Sequence, residues 1–227
     1  MKKKVFYTEL SYVLGMVLMA FAAASTAKAD FGMSMVVAPA YILHLKISEF
    51  LPWFTFGVAE YCFQGVLVVL TVVLMRKFKW SYLFSFVTAV LYGLLLDGSI
   101  ALLAPLPAEG FWMRAVWFII GTVICSLAVS LFFHTYLSPE AYELIVKELS
   151  AKTGWDINKI KTGYDCISTL LGVVLSFCFF GFGVFKGVYW GTALCACING
   201  FLIGRFSRLL ERCFEFKNKF DLEKYFN

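Results

Sequence analysis

The sequence predicts an all-α polytopic membrane bundle: six transmembrane helices forming two inverted three-helix repeats, each with a short surface helix after its first span. Three observations lead there. Of 227 residues, 61% are hydrophobic and 15% charged, against roughly 45–50% and 25% in soluble domains. Apolar runs recur at about the 20 residues needed to cross about 30 Å of hydrocarbon. Residues 82–93 also share a pattern with residues 189–200. The whole chain, 1–227, reads as one membrane domain, with a first repeat near 10–105, a second near 112–210 and a tail over 211–227. No stretch remains for a separate soluble domain.

The chain opens on Lys2, Lys3 and Lys4, and an apolar run follows over Tyr12–Ala24. With Ala27-Lys28-Ala29 before Asp30, this start also has the form of a secretory signal peptide. The repeat argues that it stays, because cleavage would leave the first half one helix short. Next comes Ala29–Tyr41, apolar but broken by Gly32 and Pro39 and carrying Asp30. Gly frees the backbone, Ser34 can cap, and Pro suits a helix start, so a short helix should form there. Spans follow over Phe56–Met75, Tyr82–Ala104 (stopped by Pro105-Leu106-Pro107), Trp112–Tyr136, Gly163–Phe185 and Val188–Leu210. Between the fourth and fifth, Ser138 is placed to cap and Pro139 to sit in the first turn of an amphipathic helix over Glu140–Lys152, which Gly154 can end.

The repeat is read from offsets. A shift of 107 places Tyr82 on Tyr189, Ser85 on Thr192, Ala89 on Ala196 and Gly93 on Gly200. A shift of 105 places Glu60 on Asp165, and one of 101 places Ala40-Tyr41 on Ala141-Tyr142. Three crossings per half is odd, so the halves have opposite orientation, as in many secondary transporters.

Charge sets the expected orientation. With both termini in the cytoplasm, 16 of the 20 Lys and Arg fall on the cytoplasmic side; only Lys28, Lys46, Arg114 and Lys186 fall outside. The net charge of +5 is thus a membrane signal, and the chain is expected in the cell (inner) membrane with lipid as its first partner. A faint helix-turn-helix likeness over Glu148–Lys161 lies between spans, where groove entry is obstructed, so no nucleic-acid partner is expected. The seven cysteines lie mostly in apolar runs and read as small packing residues. Cys195-x-Cys197 lacks metal-ligand spacing. With two His residues and no HExxH, P-loop or nucleophile elbow, the chain shows no catalytic constellation and no cofactor motif.

Short glycine motifs recur along the chain: Ala29-Asp30-Phe31-Gly32, Thr55-Phe56-Gly57, Gly93 with Asp97, Thr153-Gly154 before Lys161 and Asp165, and Gly191-Thr192 with Gly200. On these motifs the chain resembles the YczE/YyaS/YitT group of bacterial integral membrane proteins, closest to the YczE-like branch. Ser34-Met35-Val36-Val37 and Lys161 depart from that pattern. The resemblance implies a membrane fold and no established substrate.

Ionisable groups at membrane depth cost roughly 2.5–3.5 kcal/mol each on insertion scales, so those present mark candidate sites. Glu60, Gln64, Asp97 and Asn199 are the candidate solute or proton contacts. Lys161 and Asp165, four residues apart, are a candidate ion pair. Gly32, Pro39, Gly93, Pro139, Gly154, Gly191 and Gly200 are expected to serve turns and close packing. The function expected is a permease moving an unidentified small molecule or ion by alternating access. The alternative is a non-transporting accessory or regulatory subunit that docks a protein partner through the basic tail and the Ser138–Gly154 helix. Intact-mass analysis of purified protein should find Met1–Ala29 attached; a chain beginning at Asp30 would show cleavage.

Overall fold

The computed structural model describes residues 4–137 and 140–220. In order, these form β1 (Lys4–Tyr7), α1 (Thr8–Ala29), α2 (Ala38–Ile47), α3 (Phe56–Met75), α4 (Trp80–Leu103), α5 (Phe111–Phe132), α6 (Ala141–Thr153), α7 (Ile157–Phe180), α8 (Trp190–Cys213) and β2 (Phe214–Lys217). Six of the eight helices are long and apolar enough to cross a membrane; α2 and α6 are the short ones. The protein is a multi-pass helical membrane bundle.

Some boundaries differ from those the sequence predicts. The fifth span starts six residues earlier, at Ile157, because the Asp156 carboxylate accepts the Lys159 amide (3.3 Å) and opens the helix there. It ends at Phe180, before Gly181 with φ +104°. The fourth span ends at Phe132, four residues early. In α2, Pro39 lies in the first turn as expected, but Ser34 contributes its carbonyl rather than its hydroxyl, accepting the amides of Val37 and Ala38. Ser138 and Pro139 lie outside the described residues.

The helices form two layers. One runs α4–α1–α5–α8, with α1 at its heart: α1 packs on both α4 and α5. Small residues bring α1 and α5 together antiparallel, Gly15 against Ala128 and Phe132, Gly121 against Ala22 and Thr26. The other layer sets α3 and α7 apart, with α2 and α6 between them. The same pairings occur in both halves: α1–α4 matches α5–α8, α3–α6 matches α7–α2, and α2–α3 matches α6–α7.

Both short helices reach inward from the membrane surface. Helix α6 runs beside α3 in the same direction. The Ala141 amide donates to Gln64 Oε1 (3.1 Å), and at its far end Lys152 Nζ donates to the Leu74 carbonyl (2.6 Å). Gln64 precedes the end of α3 by 11 residues, about 17 Å at 1.5 Å per residue. Helix α2 runs likewise beside α7, with Ala38 and Ile42 against Gly172 and Lys46 over the Phe180 ring. Its first turn is thus about 12 Å inside the end of α7. The tips come together in one cluster: Val36, just before α2, packs against the group formed by Leu67 of α3 with Ala141 and Tyr142 of α6. Exposed polar backbone is not tolerated in hydrocarbon, and here the inner turns are enclosed, with Ala38, Ala40, Ile42, Ala141 and Tyr142 all buried.

The predicted packing glycines divide into two sets. A side chain at Gly93 would meet the Gly57 carbonyl at 2.6 Å, and one at Gly57 would overlap the Gly93 carbonyl, so α3 and α4 cross backbone to backbone. Gly191 sits against Phe31, its amide donating to the Phe31 carbonyl (3.0 Å), and Gly32 (φ +108°) abuts Thr192. Gly154 ends α6 at φ +71°. Gly200, the match of Gly93, has nothing within 4 Å, and neither has Gly163, next to the match of Gly57. Helices α7 and α8 lack the close packing of α3 and α4.

The two ends of the chain meet on one face, called here the terminal face. Strands β1 and β2 pair in parallel, Lys4 opposite Phe214 through Tyr7 opposite Lys217. The Glu9 carboxylate accepts the amides of Lys219 (3.0 Å) and Phe220 (2.9 Å) and the Tyr136 hydroxyl (2.9 Å). Within the tail expected over 211–227, the part up to residue 220 is bound to the protein's own first residues.

Gly93→Ala should destabilise the protein by about 1–3 kcal/mol through overpacking, whereas Gly200→Ala should leave stability unchanged or raise it. Denaturant unfolding in detergent separates the two.

Candidate functional site

The tips of the two short helices converge beside the first turns of α3. Glu60 and Gln64 lie one turn apart on α3, both 0% exposed. Gln64 Nε2 donates to Glu60 Oε2 (3.3 Å), and the same oxygen accepts the Tyr142 hydroxyl of α6 (2.7 Å). Gln64 Oε1 takes the first amide of α6. Gln64 therefore serves both its groups at once, holding the acid on one side and the helix start on the other. Glu140 immediately precedes α6 and is buried at 7% exposure, while its carbonyl accepts the Glu143 and Leu144 amides.

This polar centre is incompletely satisfied. Glu60 Oε1, Glu140 Oε1 and the Tyr92 hydroxyl of α4 are buried without a hydrogen-bond partner among the described residues. Leaving such a group unpaired costs about 1–3 kcal/mol, and more when it is charged. Neither acid has a salt bridge among the described residues. Lys161, the nearest cation whose charge reaches Glu140, is held by Glu143 (2.6 Å) and Asp165 (3.6 Å). Burial, then the nearby charges of Glu60 and Glu143, push the Glu140 carboxyl up to about 8, against a smaller opposing pull from Lys161. Burial beside Glu60 likewise holds the Tyr142 phenol well above its ordinary value.

The residues singled out from sequence separate into different roles. Glu60 and Gln64 are in the centre. Asp97 is engaged elsewhere: its two oxygens accept the Thr55 hydroxyl (2.5 Å) and the Gly57 amide (2.8 Å), so it closes the start of α3. A carboxylate suits that place, where unpaired amides and the helix dipole favour negative charge. Asn199 on α8 accepts the Ser126 hydroxyl of α5 (3.3 Å). It also borders a cavity of about 30 Å³ lined by Tyr92, Met19, Met33, Ser34, Cys125 and Cys195, comparable to the volume of one water in the liquid. Lys161 and Asp165 do pair, but the shorter contact of Lys161 is to Glu143, which ties α7 to α6.

Sequence reasoning missed Glu140, Tyr142 and Tyr92 as site residues. From sequence, Glu140 is only the first residue of the amphipathic surface helix Glu140–Lys152. A usable signal was the repeated Ala-Tyr pair, Ala40-Tyr41 and Ala141-Tyr142, which marks the start of both short helices.

Stability should depend on pH through Glu140. Its carboxyl titrates near 4.5 when unfolded and at about 8 when folded. Between those values the folded state holds more protons than the unfolded one, so stability falls as pH rises and levels off above about 8. Thermal unfolding in detergent should show this slope in the native protein and a shallower one in Glu140→Gln.

A family model described as "Family of unknown function (DUF6198)" matches residues 6–208, a stretch that takes in α1 to α7 and most of α8. No curated protein and no solved structure matches the chain.

Proposed function

We propose that this chain, which belongs to the DUF6198 family of proteins of unknown function, is a permease that moves a small solute by alternating access between its two inverted halves. The observation that carries this reading is the meeting of two inward-reaching helices, one from each half, beside the buried Glu60–Gln64 pair. Transporter sites are commonly built this way, from interrupted helices whose ends point at a midplane ligand. Irregular backbone at that depth is tolerated where protein encloses it or where it lines a cavity. The resemblance to the YczE-like branch fits the same reading, and so does the Lys and Arg bias, which favours a cytoplasmic terminal face.

Asymmetry between the halves supplies the movement. The Gly57–Gly93 crossing closes α3 on α4, while Gly163 and Gly200 leave α7 and α8 apart. Exchanging these arrangements would close the second pair and open the first. That exchange exposes the centre from the other side with little change to α1 and α5. Glu60 and Gln64 would then contact the solute, and Asp97 would hold the start of α3.

A thermal-shift screen of purified protein against small metabolites and ions tests the reading first. A solute present at 100 times its Kd should add about 2.7 kcal/mol of stability. Glu60→Gln should abolish the gain, and the same solute should exchange across vesicles containing the native protein. Gly200→Leu should keep the fold and stop that exchange by blocking closure of α7 on α8. A solute that binds but does not cross would favour the accessory-subunit reading.

A further inference from the structure

The two buried acids at the centre come from opposite halves of the chain, Glu60 from α3 and Glu140 from the start of α6, and Gln64 joins them, its nitrogen bonded to Glu60 and its oxygen to the amide that follows Glu140. A carboxyl kept neutral for purely structural reasons would donate its proton to a fixed acceptor. Here one oxygen of each acid has no partner among the described residues. Two acid residues bridged by one glutamine in a dry site cannot both ionise cheaply, and a pair that shares one proton is the common resolution.

We propose that Glu60 and Glu140 bind a single proton as a pair, and that this proton is the ion coupled to solute movement. The coupling rests on the permease reading; the proton binding does not.

The surroundings favour a proton over a larger cation. Tyr12 on α1 is bonded to Thr88, and Tyr92 on α4 offers one free hydroxyl. From α6 the centre receives Tyr142 and Glu143, and from α7 Lys161, Tyr164 and Asp165, with the lysine already engaged. On α5, Cys125 is a buried titratable group that the Glu140 charge reaches. A metal ion needs several oxygens and room for itself. The buried oxygens at the centre without a hydrogen bond among the described residues are one from each acid, the Tyr92 and Tyr164 hydroxyls and Asp165 Oδ1, the last held by Lys161, and neither acid borders the described cavity of about 30 Å³. A proton needs no cavity. Because the acids sit on different halves, motion between halves changes their separation and hence the pair's hold on its proton.

Infrared difference spectroscopy of the full chain in lipid vesicles tests this through the carbonyl stretch of protonated carboxylic acids. The native protein should lose one such band with a midpoint near pH 8. Glu140→Gln should remove that step. Glu60→Gln, by deleting the like charge, should lower the midpoint by at least about one unit, a tenfold weaker hold on the proton. Glu60→Asp, which keeps the charge should the amide variant fail to fold, should retain the band, and Asp97→Asn should not move it. An unchanged midpoint in Glu60→Gln would mean independent acids and would overturn the pair. Loss of the band on adding sodium or potassium at constant pH would overturn the proton as the ligand. A coupled band in vesicles whose solute exchange ignores the pH gradient would overturn the coupling alone, whereas absent exchange of any solute would strike the permease reading and leave the pair standing.

Discussion

A peptide backbone that enters hydrocarbon must have its polar groups satisfied by protein, and the architecture turns on how this chain meets that demand twice. The first amide of α6 is taken by Gln64 Oε1, and the loop before α2 is fixed by the Met33 amide on the Gly187 carbonyl (2.8 Å). These contacts are possible because α3 and α7 stand far enough apart to admit a half-length helix from each face. The layer α4–α1–α5–α8 then covers the gap. Helix α1 is central for this reason, half of its apolar window being buried. A membrane helix facing lipid on most sides would not need that.

The same constraint concentrates polar groups at the centre. Once Gln64 is committed to α6, its amide nitrogen turns to Glu60, and Glu60 in turn accepts Tyr142. Placing α6 so deep also carries Glu140 inward, since it is the residue before the first turn. The second acid is therefore a consequence of chain geometry. Lys161, the cation whose charge reaches it, is held by Glu143 and Asp165 and forms no salt bridge with it.

The halves are alike in pairing and unlike in closure. Both place the short helix against the second long span of the other half, so the repeats interlock instead of lying side by side. Yet Gly57 and Gly93 touch while Gly163 and Gly200 do not. Small residues matter in membranes because helix association there depends on close packing more than on the hydrophobic effect. An open glycine pair is accordingly a place where closing can be gained.

Hydropathy alone located all six spans, Phe56–Met75 to the residue, because lipid imposes a length and composition that any apolar run of about 20 residues reveals. The offsets between halves likewise anticipated which elements would correspond, and Pro39 and Gly154 marked the ends of α2 and α6 where expected. Glu60 and Gln64 stood out because a charge or amide in an apolar run is costly wherever it points. Depth and company were not legible. Nothing in the order of residues says that α6 runs inward from its surface end, that Gln64 joins Glu60 to the start of α6 across some 80 positions, or that β2 folds back onto β1. Asp97 looks from sequence just like Glu60, and only the approach of α4 to the start of α3 turns it into a cap. Local pattern reports what each segment can bury. Which groups share one dry space depends on how distant segments pack, and that is a property of the folded bundle alone.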